Sequence, residues 1–258
     1  MAQIFVNIAY QRMSADGFKF LAERQLFPEF YFCGDSIDSI ERETITALRD
    51  QIAGSNFSST LHAPFYDLNI GARDRSIRIA SFERLVWAVE TAAMLGAGVV
   101  VVHPGYGVGP GEVAIEPWLQ RAGAFLKKLV EHAAGFGIKI AFENIFDSRP
   151  DQLLKLLQFV DSPFAGICFD VGHHHLFSAL PMQNWLAALG PHIFEFHLHD
   201  NDRSADQHSA IGEGSVDYQP LIDWYANQPA ATRPVLTLEQ KDRNHVIKSV
   251  ACIQNWGI

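Results

Sequence analysis

Cysteine is nearly absent: Cys33, Cys168 and Cys252 are the only three in 258 residues. Their number is odd, they lie far apart, and no Cys-x-x-Cys spacing occurs. That argues against a disulfide framework or a thiolate zinc site and reads as buried or free thiols in a reducing compartment. Positive charge is also scarce, with 20 Lys and Arg against 29 Asp and Glu, a formal charge of −9. A polyanion must be met by Lys and Arg, so this balance counts against extended nucleic-acid binding without excluding it. Acidic ligands gathered around divalent ions would account for part of the excess. No basic segment followed by an apolar run and a cleavage site opens the chain, so no secretory signal is read. The most apolar run, Ala92 to Val102, is too short to span a bilayer. The expectation is a soluble, cytoplasmic chain with no membrane partner, and a homo-oligomer is left open.

What is present is alternation. Short β-rich runs trade places with longer helical patterns eight times, and the spacing predicts strands at Ile4–Tyr10, Glu29–Phe32, Ser58–Ala63, Gly98–His103, Ile138–Glu143, Gly166–Asp170, Ile193–His199 and Val235–Glu239. Val99-Val100-Val101-Val102 is a continuous β-branched run, as in a strand buried on both faces. Helices are predicted at Ser14–Gln25, at Ser36–Ile52 with Ser36 and Asp38 as N-cap oxygens, and at Ile77–Leu95 with Leu85, Val89 and Ala92 on one face. Further helices are predicted at Pro117–Ala134, Pro150–Val160, Met182–Leu189, Tyr218–Ala226 and Asn244–Gln254. With no composition break, residues 1–258 read as one domain, a closed parallel (β/α)8 barrel. An open doubly wound sheet is the alternative, but no Gly-x-Gly-x-x-Gly follows the first strand.

Active sites of such barrels lie at the C-terminal ends of the strands. There this chain has His62, His103, Glu143, Asp170 with His173, His197 and Glu239, and Asp206 and His208 follow in the loop after strand 7. A single histidine on a strand is usually structural. Nine such residues at one end of six consecutive strands are not explained that way. Imidazole and carboxylate without thiolate suit zinc, manganese, iron or cobalt, and suit an open catalytic site better than a closed structural one. Asp170-x-x-His173 is expected to leave strand 6 at a turn. Asp206-x-His208 has the spacing that puts both side chains on one side of an extended segment.

His62-Ala63-Pro64, His103-Pro104-Gly105, Glu143-Asn144, Cys168-Phe169-Asp170-Val171-Gly172-His173, His197-Leu198-His199-Asp200 and Asp206 to Gly214 together resemble the xylose-isomerase-like TIM-barrel superfamily. That group includes sugar isomerases and epimerases and the endonuclease IV type of abasic-site nuclease (AP endonuclease family 2). The ketose epimerase branch implies one ion, zinc or manganese, on Glu143, Asp170, His197 and Glu239. There Glu143 and Glu239 are the catalytic residues, exchanging a carbon-bound proton through a metal-stabilised enediolate. His173 and Arg203 match that branch's substrate contacts. The nuclease branch implies three zinc ions on all nine positions. The resemblance thus implies one to three ions per chain, with a small sugar or sugar derivative as the preferred substrate and abasic DNA as the alternative.

Other residues near these positions carry weaker expectations. His199 stands where the nuclease branch has Asn, and is read as an extra ligand or substrate contact, or as support for a ligand. Phe65, Tyr66 and Tyr106 follow ligand-bearing strands and are candidates for a sugar pocket. Trp118 is the one tryptophan considered for the mouth of the site, and Lys241 is a weak candidate for a substrate phosphate. His174, His175 and Asp200 are read as supporting or structural.

Overall fold

In the computed structural model, which describes residues 3–55, 57–105 and 115–258, the eight strands close into a barrel in sequence order, each parallel to its neighbours. They are β1 (Ile4–Ala9), β2 (Leu26–Tyr31), β3 (Thr60–His62), β4 (Val99–Val102), β5 (Lys139–Glu143), β6 (Ala165–Asp170), β7 (Ile193–Leu198) and β8 (Val235–Leu238). The ring is completed by β1 on β8, with Ile4 opposite Leu236 and Val6 opposite Leu238. Among the described residues no helix is long and apolar enough to cross a membrane.

The helices are α1 (Ala15–Arg24), α2 (Gly34–Ser39), α3 (Arg42–Gly54), α4 (Arg75–Leu95), α5 (Ile115–Ala134), α6 (Asp151–Val160), α7 (Val171–Phe177), α8 (Met182–Leu189), α9 (Gln219–Ala226) and α10 (Arg243–Gln254). Their apolar faces pack on the outer side of the strands: Leu85, Val89 and Ala92 of α4 are buried, as are Leu126, Leu129 and Val130 of α5. Asp74 starts α4 by accepting from the backbone of Ser76 and Ile77, and Asp242 starts α10 in the same way.

Three local expectations are corrected. The single helix over Ser36–Ile52 is two helices, because Ile40 takes an extended ψ of 128°. The Ser39 hydroxyl donates to the Asp35 carbonyl at 2.7 Å, satisfying the end of α2 from within. Cys33 and Glu41, not Ser36 or Asp38, stand at the two helix starts. Strand β2 begins three residues earlier than expected, because Gln25 ends α1 in the left-handed region (φ 55°) and the chain turns directly into the sheet. The turn expected after β6 is helix α7, with Asp170 as its N-cap accepting from His173 N at 2.6 Å.

The period of two along each strand decides what faces the barrel axis. Outward residues such as Leu61, Val100, Val102, Phe142, Phe169 and Phe196 join the main core under the helices. Inward positions carry Thr60 then His62, Ala141 then Glu143, Cys168 then Asp170, Glu195 then His197, and Thr237 then Glu239. The lower member of each pair is small or hydrogen-bonding, and the upper member carries the chemistry.

Candidate metal centre

Glu143 is the hub of the upper layer. Its Oε2 lies 3.2 Å from His62 Nε2 and 3.0 Å from His103 Nε2, and its Oε1 lies 3.3 Å from His173 Nδ1 and 3.5 Å from His197 Nδ1. The carboxylate is 1% exposed. Burial alone would raise its pKa, but the surrounding imidazoles hold it well below the ordinary carboxylate range.

Three ligand sets cover the centre, the first two sharing Glu143, each with one donor atom per residue and all donors within 4.8 Å of one another. His62, His103 and Glu143 form the first. Glu143, Asp170, His197 and Glu239 form the second, at the floor of the mouth. His173, His199, Asp206 and His208 form the third, further out. All nine sequence-predicted ligands are therefore brought together, and His199 joins them.

Hydrogen bonds on the far side of each ring decide which nitrogen is free. His62 Nδ1 donates to Ala63 O at 2.8 Å, His173 Nδ1 to Asn144 O at 3.1 Å, and His208 Nδ1 to Glu239 O at 2.7 Å, leaving Nε2 of each to face the carboxylates. His197 is turned the other way. Its Nδ1 lies 3.4 Å from Glu239 Oε1, 3.5 Å from Glu143 Oε1 and 3.9 Å from Asp170 Oδ2, while its Nε2 lies 3.4 Å from Glu29 Oε1 below. Burial pulls the His103 imidazole below its usual pKa, which keeps the ring neutral and available as a ligand.

These residues fit divalent ions. Three carboxylates converge on one point, and both His197 nitrogens and His199 Nδ1 are buried without a hydrogen-bond partner among the described residues. Buried polar atoms of that kind are costly unless something binds them. Cys168 Sγ also lies within reach of Glu143 and His197. Burial raises its pKa far above the thiol's ordinary value, so it stays a neutral neighbour.

The supporting residues explain the motifs. Asn144 clamps the end of β6 by accepting from Asp170 N and donating to Asp170 O, both at 2.9 Å. Asp200 pins the strand-7 loop, accepting from Asn201 N, Gly212 N and Val216 N. The Asp206–His208 segment is not extended: His208 has φ +53°, and it is this bend that sets its Nε2 3.0 Å from Asp206 Oδ2.

A layer below the centre was not singled out from the sequence. Glu29 and Glu195 are both fully buried on the barrel axis. Asn7 Nδ2 donates to Glu29 at 2.7 Å, Thr60 donates to Glu29 at 3.2 Å, and Thr237 donates to Glu195. Burial, reinforced by the Glu29 charge, pushes the Glu195 carboxyl well above its ordinary pKa, whereas His197 offsets the burial of Glu29 and holds it below the ordinary value. The available signal was an acidic residue between apolar neighbours within a strand, Pro28-Glu29-Phe30 and Phe194-Glu195-Phe196.

A cavity of about 550 Å³ opens above the centre, lined by His62, His208 and Glu239 at its floor and by Tyr31, Phe65 and Tyr66 at its wall. Phe65 stacks on the His103 ring at 4.3 Å. Arg12, Lys241 and Arg243 also line the cavity. Arg203 is not brought to it: the side chain is exposed and its Nε donates to His175 Nε2 at 3.3 Å. Tyr106 lies outside the described residues. Trp118 is buried, seated so closely against Gly71 that a Cβ there would come within 2.4 Å of its ring. It belongs to the packing under the loop and not to the mouth.

Residues 11–255 match the xylose isomerase-like TIM barrel family. An uncharacterized protein of Methanocaldococcus jannaschii, MJ1311, is 31% identical over 204 residues, covering 76% of this chain and 69% of that protein. A probable endonuclease 4 of a Geobacter species is 26% identical over 198 residues, 67% of this chain and 68% of its own length. Among solved structures, a D-tagatose 3-epimerase-like protein superposes with a TM-score of 0.84 at 25% identity, covering 98% of this chain and 96% of its own.

Proposed function

Because this chain belongs to the xylose isomerase-like TIM barrel family, we propose that it is a divalent-metal-dependent isomerase or epimerase of a small sugar or sugar derivative. The observation that carries this reading is the cavity. At about 550 Å³, ending on Glu239 and walled by Tyr31, Phe65 and Tyr66, it has the size and mixed lining of a small-molecule pocket. The formal charge of −9 also disfavours a polyanionic substrate. The similarity to a D-tagatose 3-epimerase-like protein supports the same reading.

Glu143, Asp170, His197 and Glu239 would hold the ion, which when bound would supply Lewis acidity toward a carbonyl and its neighbouring hydroxyl. Glu239, 10% exposed and lining the cavity, is the carboxylate set to take a carbon-bound proton. Glu143 lies deeper, among four imidazoles, so holding the ion is its first task and proton exchange its second. The aromatic wall gives sugar C–H groups an apolar face and keeps water off the reacting carbon. His173, with Nε2 turned toward Asp206, belongs to the ligand set rather than to the cavity wall.

Phosphodiester hydrolysis, at abasic DNA most concretely, is the second reading, and one observation favours it. Two of the ligand sets share Glu143, and the three together hold more donors than one ion takes. The endonuclease 4 relative is consistent with this.

The test is solvent deuterium exchange with a ketose panel under zinc- or manganese-replete conditions. Deuterium entering at one carbon, and lost in Glu239→Gln, is the expected result. No exchange with any sugar, together with abasic-duplex incision that disappears in Glu143→Ala, would transfer the assignment to hydrolysis.

A further inference from the structure

We infer that His199 is a metal ligand. Its Nδ1 completes, with His173 Nε2, His208 Nε2 and an Asp206 oxygen, a four-coordinate site that is closed to substrate and separate from the open inner set. The inference rests on the metal reading above and adds to it a division of labour between an outer, structural ion and an inner, catalytic one.

The argument starts from the tautomer of His199. The residue is fully buried, and its Nε2 lies 3.2 Å from both oxygens of Asp170. Asp170 accepts there, so Nε2 carries the hydrogen and Nδ1 carries a lone pair. That lone pair has no hydrogen-bond partner among the described residues. It is aimed at Asp206, whose Oδ1 lies 3.8 Å away. Leaving such an atom buried and unmatched costs about 1–3 kcal/mol, and an acceptor facing a carboxylate finds no donor in it. A cation between them satisfies both.

The surroundings are arranged for the ring. Gly172 lies directly beneath, and a Cβ there would fall 2.0 Å from His199 Cε1. Only glycine at 172 leaves His199 this seat. The His173 and His208 rings present Nε2 to the same Asp206 carboxylate, at 3.5 and 3.0 Å, with Nδ1 of each donating to a backbone carbonyl. The His199 and His208 rings are stacked at 3.9 Å and 11°. Shared ligation requires these planes to open. His199 is pinned by Gly172, so the tilt falls to His208, which is 21% exposed.

Four protein donors fill a tetrahedral zinc shell and leave no position for substrate, which is the pattern of structural sites. The inner set instead faces the cavity through Glu239. The two sites meet at His199, whose Nε2–H is donated to a ligand of the inner ion. Loading the outer ion therefore fixes the orientation of Asp170.

The test uses zinc alone on the full-length protein. The wild type, dialysed against a chelator in steps, is expected to lose inner zinc first and to retain one ion per chain. X-ray absorption on that species is expected to count three imidazoles and one carboxylate. His199→Gln, compared at equal folded fraction by circular dichroism, is expected to lose the retained ion. The loss of affinity should exceed the roughly 10–100-fold typical of removing an indirect partner. Glu239→Gln is expected to weaken the inner ion and leave the retained one in place. A retained ion with two imidazoles or a coordination number above four would overturn the inference while leaving the metal reading intact, as would His199→Gln weakening only the inner ion. If the wild type binds no zinc at all, the metal reading fails and this inference fails with it. The absorption measurement needs only the wild type, so a variant that does not fold leaves the question decidable.

Discussion

Asp200→Asn removes no ligand, yet it is expected to loosen the loop that carries two of them. Asp200 is 1% exposed. Its Oδ1 accepts from Asn201 N at 2.9 Å and Val216 N at 3.0 Å, and its Oδ2 accepts from Gly212 N at 2.9 Å. Its backbone also pairs with Ser209 in both directions, at 3.0 and 2.9 Å. Asp206 and His208 lie on the chain between these anchor points. A carboxylate only accepts, whereas an amide offers one accepting oxygen and a donating NH2. With the amide oxygen in the Oδ1 position, two bonds survive without charge assistance and the NH2 meets the Gly212 N–H, donor against donor. Losing one charge-assisted bond costs about 1.5–3 kcal/mol, and weakening the other two brings the total to about 3 kcal/mol. In a chain of this size that corresponds to roughly 10 °C in melting temperature. Calorimetric melting of the metal-free protein reads the first effect, and zinc titration reads the second, a weakening that falls mainly on the outer site. An unaltered melting temperature together with unaltered zinc binding would show that the loop does not depend on this carboxylate.

Two further substitutions test the layers around the centre. Asp147 is buried with Oδ2 accepting from Ile145 N at 3.1 Å and Oδ1 without a partner among the described residues, and burial raises its carboxyl from 3.8 to about 6. A raised folded pKa means the fold holds the proton more tightly than the unfolded chain does. The penalty is therefore absent below about pH 4 and complete above about pH 6, and two units set an upper limit of about 3 kcal/mol. Asp147→Asn keeps an oxygen for Ile145 and is expected to raise the melting temperature at pH 7.5 but not at pH 4; equal shifts at both would rule out the burial argument. Glu29→Gln removes the charge that faces His197 Nε2 at 3.4 Å. Inner-site zinc affinity is expected to fall about 10–100-fold, and an unchanged isotherm would relieve Glu29 of any role in setting that ring.

Which parts were legible in the chain follows from how each is encoded. The barrel and its ligand-bearing strand ends were, because strand period and barrel polarity are local rules: Val99 to Val102 with His103 beyond it can be placed without knowing any other strand. Helix α7 was not, because seven residues containing three histidines give no apolar period, although Asp170 as an N-cap was a usable signal. The split between α2 and α3 depended on a Ser39 side chain turning back on its own helix. Arg203 was placed by the resemblance to the epimerase branch, and an exposed loop arginine is aimed by its local turn, here toward His175. Trp118 was misjudged because a helix start near the mouth can still face inward onto Gly71.

The sequence by itself determined the architecture, the end of the barrel that carries the chemistry, and the nine His and carboxylate residues of the centre. Strand period and barrel polarity depend on neighbours along the chain, and the nine residues stand out by recurring together at one end of the strands. Only the tertiary structure decided how those residues are grouped. Glu143 as the shared hub, Glu29 beneath His197 and His199 opposite Asp206 are relations between strands far apart in sequence. Barrel stagger sets their height, and hydrogen bonds to distant carbonyls set which ring nitrogen faces inward.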